Sequence, residues 1–173
     1  MKKQFPCAKR HKTALRALLV MLLCAAPVLG VPNHAAALID GHYTTASLSA
    51  QERSAGNLLN SDRAAYGLAP LTLDPELCRI ARIKSEDMRD NNYFAHESPT
   101  YGKVSAMLRH FGYAFSGAGE NIAHHATVDK AQAAFMSSDG HRRNVLSSAW
   151  TKAGVGVCTD RNGFVYVTQI FAR

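Results

Sequence analysis

The chain has 173 residues, with 20 Lys and Arg against 13 Asp and Glu, for a formal net charge of +7. Six of the basic residues (Lys2, Lys3, Lys9, Arg10, Lys12, Arg16) precede the first acid, Asp40; without them 14 stand against 13, a net charge of +1. The excess charge therefore belongs to the N-terminal stretch, and the remainder lacks the basic patch that a nucleic-acid partner requires.

That stretch has the order of an export signal. Behind the basic residues, Ala17 to Pro32 is uncharged and mostly apolar, contains Leu18-Leu19-Val20-Met21-Leu22-Leu23, and is interrupted by Pro27. A bilayer-spanning helix needs about 20 such residues. Ala35-Ala36-Ala37 supplies the small-x-small pattern of a cleavage site, so residues 1–37 read as a signal peptide, with the Ala25-Ala26 region as an earlier alternative. Leu23 before Cys24 argues against lipid attachment, where a small residue is expected. No stable membrane span is expected after cleavage, and the location expected is extracellular, with attachment to the cell wall left open.

Residues 38–47 show no sustained period and read as a flexible lead-in. One domain follows, residues 48–173. Ser49 and Glu52 form a capping box at a helix start; Ala55, Leu58, Leu59 and Ala65 recur at helical spacing, and Gly67 ends the helix. Asp74-Pro75-Glu76 announces a second helix to about Asp90, with Leu77, Ile80, Ala81, the Lys84 stem and Met88 facing inward beside Cys78. The polar loop 91–100 leads to a short third helix that ends near Phe111 at Gly112. Thr127 caps a fourth to about Ser138, with Ala131, Ala134 and Phe135 inward. Gly154 to Cys158 and Phe164 to Phe171, separated by Asp160-Arg161-Asn162-Gly163, read as a β-hairpin. Helices first and strands last predict an α+β arrangement. Cys78 and Cys158 are either bridged, as an exported pair in an oxidising compartment is entitled to be, or two separate buried thiols.

The chain has no phosphate loop, HExxH helix or GxSxG elbow. What remains is His96 before a helix, Glu120 after a glycine-rich turn, and His141 after Asp139-Gly140. Two imidazoles and a carboxylate are N and O donors of the type that zinc and similar divalent cations accept. Separations of 24 and 21 residues do not by themselves bring the three together, and each also reads as an ordinary loop or capping residue. His124-His125 reads as an exposed loop pair, and Trp150 as packing against the last strands.

Four segments in order resemble the CAP superfamily, the cysteine-rich secretory, antigen 5 and pathogenesis-related-1 proteins or SCP domains, in their short bacterial form. They are Phe94-Ala95-His96-Glu97-Ser98-Pro99, Gly119-Glu120-Asn121-Ile122-Ala123, Phe135 to Leu146, and Gly154-Val155-Gly156-Val157. The resemblance covers about residues 48–172 and implies a three-layer α-β-α sandwich with a central antiparallel sheet. It also implies a cleft of two His and two Glu, onto which His96, Glu120 and His141 map. The fourth position, the family's second glutamate, is Ser138 here, which removes one charge and one ligand; Asp139 and Glu97 are the nearby acids able to replace it. Asn121, Asn144, Glu97 and Ser138 are expected to line the cleft.

Two functions follow from the resemblance. One is an extracellular binding module holding a divalent cation such as zinc and a partner such as a cell-envelope or host fragment, a peptide or a lipid. The other is a metal-dependent, peptidase-like hydrolase with Glu120 as general base.

Overall fold

The computed structural model describes residues 47–173. The expected signal peptide, and the lead-in up to residue 46, lie outside the described residues. The described chain folds as α1 (Ala50–Ala65), β1 (Thr72–Leu73), α2 (Pro75–Asp90), α3 (Val104–His110), β2 (Ala118–His125), α4 (Val128–Ser137), α5 (Asp139–Val145), β3 (Lys152–Thr159) and β4 (Val165–Ala172).

The helix starts follow from their caps. Glu52 N–H donates to Ser49 Oγ at 3.1 Å and Ser49 N–H to Glu52 Oε2 at 2.8 Å, the reciprocal box expected at α1. Asp74 accepts from Leu77 N–H, with Pro75 inside the first turn of α2, and Thr127 accepts from Lys130 N–H at α4. The inward stripe of α2 is as expected. In α1 the last inward position is not Ala65, which is exposed, but Arg63, which is buried. Its guanidinium donates to the carbonyls of Ala69, Val145 and Ser147. A long polar side chain is retained inside because the end of α5 offers carbonyls that have no helical partner.

The sheet order is β1-β3-β4-β2. β4 is central and antiparallel to both long neighbours, with Glu120 opposite Ile170 on one side and Gly154 opposite Ile170 on the other. Only the two-residue β1 runs parallel, against Lys152 and Ala153. Every residue of β4 is buried, which explains its continuous apolar run: helices cover both of its faces. α2 lies on one side of the sheet, while α1, α4 and α5 pack through Leu59, Phe135 and Val145 against Val155, Val157 and Phe171 on the other. The result is the α-β-α sandwich.

Glycine decides how closely α2 approaches. A Cβ at Gly156 would lie 2.1 Å from the Ala81 carbonyl carbon and from Arg82 N, and one at Gly154 would lie 2.3 Å from the Leu77 carbonyl carbon. The helix backbone therefore rests directly on β3, and Ser85 Oγ reaches across the contact to Gly156 O at 3.0 Å and Thr168 Oγ1 at 2.8 Å.

Beyond the short β1, the outer edge of β3 would expose its N–H groups, an arrangement folded chains cover or pair. Val155 N–H donates to Cys78 Sγ at 3.3 Å and Val157 N–H to Glu52 Oε1 at 3.4 Å. Glu52 is fully buried and also binds Arg82 through two hydrogen bonds of 2.6 Å, which ties α1 to α2 across that edge.

The same geometry corrects the cysteine pairing: Cys78 and Cys158 are free, buried thiols. Cys78 sits in the first turn of α2, whereas Cys158 packs with Met88 ten residues further along that helix. At 1.5 Å per residue this is a separation of about 15 Å, far beyond the reach of a disulfide. Burial pushes the thiol pKa of Cys78 to about 11 and that of Cys158 to about 12, so both are held protonated.

Replacing Gly156 by Ala should cost about 3 kcal/mol or more, because the neighbouring atoms are helix backbone and have no rotamer with which to yield. Urea denaturation of the variant against the parent checks this; a change below about 0.5 kcal/mol would show that α2 does not rest on the strand as described.

Candidate functional site

His96, Glu120 and His141 arrive from three different kinds of backbone. Only His96 lies on a loop; Glu120 is the third residue of β2, and His141 lies within α5. Neither element is marked in the sequence. β2 carries Gly119 and the polar Glu120, Asn121, His124 and His125, which mask its alternation, and α5 is seven residues of which only Val145 is buried. His124 and His125 accordingly end a strand and do not form a loop.

His96 Nδ1 meets Glu120 Oε1 at 2.7 Å. An ionised carboxylate can only accept, so the ring donates from Nδ1 and presents Nε2 as its other nitrogen. The burial is lopsided: 56% of the His96 side chain is exposed, against 4% for Glu120. Glu120 Oε2 is buried and has no hydrogen-bond partner. His141 is half-buried, packs edge-on against Phe135 at 5.3 Å between ring centroids, and feels the charge of His96.

The imidazoles are shifted in opposite directions. The hydrogen bond to Glu120 holds the His96 pKa above the ordinary imidazole range, outweighing partial burial and the nearby Lys84 ammonium. Burial pushes His141 below that range, and the positive charge of His96 adds to the effect. His96 therefore stabilises the fold fully below about pH 6.5, and that contribution fades as pH rises through its folded midpoint. For His141 the sign reverses: its contribution is present above about pH 6.5 and is lost as pH falls through its lowered midpoint.

Two buried polar systems that sequence reading missed fix these side chains. Under the His96 loop, Lys84 Nζ donates to Ala95 O at 2.8 Å, His96 O at 3.2 Å and Tyr93 Oη at 3.0 Å. Desolvation lowers the Lys84 pKa, opposed by Glu120 and Asp87. Burial alone would raise the pKa of Asp87, but its carboxylate accepts from Tyr93, Ser98, Thr100 and Asn91, and these bonds overcome that effect and keep it low.

Beneath α5, Asn121 Nδ2 donates to His141 O and to Gln169 Oε1, each at 3.1 Å; Gln169 donates to Gln132 at 2.7 Å, and Gln132 to Asp62 at 2.6 Å. Asn144 completes the set, donating to Asn121 Oδ1 and Glu120 O. Lys84 was legible as an inward position but not as a tether, and single polar residues inside apolar runs gave no sign of Gln132 or Gln169.

Ser138, at the junction of α4 and α5, is half-buried and makes no side-chain capping bond. Asp139 is exposed and paired with Arg142 at 2.6 Å, and Glu97 is exposed, so neither takes the place of a second buried acid. Trp150 packs on Phe171 as expected. Among the described residues no group of three or more His, Cys, Asp or Glu is disposed to hold a metal ion, and no helix is long and apolar enough to cross a membrane.

Histidine-detected NMR titration should give a midpoint for His96 above that of His141, and Glu120→Gln should return His96 toward the ordinary range. Coincident midpoints would contradict the contact.

The family model for the cysteine-rich secretory protein family, CAP, matches residues 57–171. The uncharacterized protein YkwD of Bacillus subtilis (strain 168) is 41% identical over 128 residues, which cover 73% of this chain and 49% of YkwD. The chain thus spans about half the length of that relative. Among solved structures, an extracellular SCP-domain protein from Bacillus anthracis superposes with a TM-score of 0.67 at 34% identity, covering 77% of this chain and 45% of that one. An outer surface protein from Borrelia burgdorferi reaches the same TM-score of 0.67 at 14% identity over 77% of this chain and 98% of its own, a likeness of fold alone.

Proposed function

Because the chain belongs to the CAP family of cysteine-rich secretory proteins, we propose that it works outside the cytoplasm as a binding module whose site is built on His96, Glu120 and His141. The N-terminal pattern of residues 1–37 and the description of the Bacillus anthracis SCP-domain relative as extracellular support the location. The observation that carries the site is the His96–Glu120 contact with the second carboxylate oxygen, Oε2, buried and without a partner. A buried acceptor left unmatched costs about 1–3 kcal/mol, so the site favours a ligand that brings a donor or a positive charge.

The same contact refines the ligand set for a divalent cation such as zinc. A metal-binding histidine characteristically donates its second ring N–H to a carboxylate, which fixes the tautomer and raises the basicity of the ligating nitrogen. In this reading His96 and His141 are the cation ligands and Glu120 orients His96 from behind. With Ser138 in place of a fourth polar ligand, the protein contributes few donors and leaves coordination positions for a cell-envelope ligand.

Calorimetric titration with zinc chloride at pH 7.5 tests this. His96→Ala and His141→Ala should each abolish binding, while Glu120→Gln should weaken it by about 10–100-fold. Undiminished binding in both histidine variants would overturn the cation reading, and equal losses in all three variants would make Glu120 a ligand instead.

A further inference from the structure

Away from that pair, the described residues expose three large hydrophobic side chains, Tyr66, Phe94 and Phe164. Two of the three meet at one place. Phe94 and Phe164 tilt against the His124 ring at 6.5 and 5.6 Å, Phe94 also lies 6.4 Å from Tyr166, and His124 stacks face to face on Tyr166 at 4.1 Å and 15°. His124 and Glu120 are four residues apart on β2, about 13 Å, so this is a second location on the same strand.

The aromatic group adjoins a hollow of about 490 Å³, within the range of small-ligand clefts. His124, Tyr166 and Asp160 contribute to its lining, and Arg89, Asn92, Arg161 and Asn162 supply its remaining polar groups. The hairpin turn that supplies Asp160, Arg161 and Asn162 to the hollow is fixed by its own aspartate. Asp160 Oδ1 accepts from Asn162 N–H at 2.8 Å and Phe164 N–H at 3.0 Å, while its Oδ2 lies 3.0 Å from His124 Nε2. Asn92, in the left-handed region at φ 52°, turns the chain between α2 and Phe94.

We propose that this hollow binds an acidic saccharide. A pyranose ring has an apolar C–H face and a rim of hydroxyls, the pairing offered by exposed phenyl and imidazole rings beside two amides. Charge selects an acid among sugars. Arg89 is paired with Asp90, and Asp160 is engaged by His124 Nε2 and by the Asn162 and Phe164 N–H groups, whereas Arg161 forms no ion pair among the described residues, so its guanidinium is the group of the hollow open to an anion. A guanidinium receives a carboxylate with two parallel N–H groups.

The test uses the purified chain and tri-galacturonate at up to ~10 mM, a range that detects millimolar affinity, followed by NMR. Resonances of His124 and Phe164 should shift while those of His141 stay in place. The exposed Phe164→Ala substitution should weaken binding at least ~10-fold and Arg161→Gln by ~3–10-fold, the latter difference shrinking at high salt. Neutral maltotriose should bind more weakly than tri-galacturonate. The proposal is overturned if tri-galacturonate shifts neither residue, if Phe164→Ala leaves affinity unchanged, or if maltotriose binds as tightly. Tighter binding of hexaglutamate, which has the charge without the sugar face, would overturn it equally.

Discussion

The seat of α2 on β3 is the constraint on which the rest of the molecule depends. Gly154 and Gly156 lack the Cβ atoms that would hold helix and strand backbones apart, and the space a single methyl would need is already filled by the peptide groups of Leu77, Ala81 and Arg82. That seat sets the position of Ser85, which bonds to the sheet, and of Lys84 and Asp87, which carry the loop of residues 93–100. A glycine pair in one strand thereby governs where an imidazole stands on a loop some sixty residues earlier in the sequence.

His96 and His141 are held by opposite layers of the sandwich. Lys84 and Asp87, on α2, fix the His96 loop, whereas the chain Asp62, Gln132, Gln169, Asn121 runs from α1 through α4 and the sheet to the carbonyl of His141. Glu120, on the edge strand β2, stands between them. Because Lys84, Asp87, Asn121, Gln132 and Gln169 are buried, losing any one of them leaves polar groups unpaired in a medium of low dielectric, where they cost most. Such rigidity suits a site that presents a preformed surface to a ligand, since little ordering then remains to be done on binding.

Much of the scaffold was legible because its signals are local. The Ser49–Glu52 box, Asp74-Pro75 and Thr127 state helix starts in a few residues, and the run from Phe164 to Phe171 marks a strand buried on both faces. Periodicity counts apolar residues and so points to Ala65, whereas the inward position belongs to Arg63, whose carbonyl partners come from another part of the chain. β2 and α5 escape for a related reason: their polar residues are satisfied by tertiary partners such as Gln169 and Asn144 that no local pattern reveals. The cysteine pair shows the limit of counting, since the two thiols are separated by most of the length of a helix. The site residues were suggested by their resemblance to family motifs; the Nδ1–Oε1 contact and the unpartnered oxygen are visible only in three dimensions.

The most direct measurement is the NMR titration midpoint of His96 in a folded Gly156→Ala variant. If the glycine seat of α2 positions the loop, lifting the helix draws His96 from Glu120. Because that hydrogen bond outweighs the opposing effects of burial and Lys84, the midpoint should fall toward the ordinary imidazole value. A midpoint as high as in the parent protein would contradict the account by showing that loop and acid find each other independently of how α2 meets the sheet.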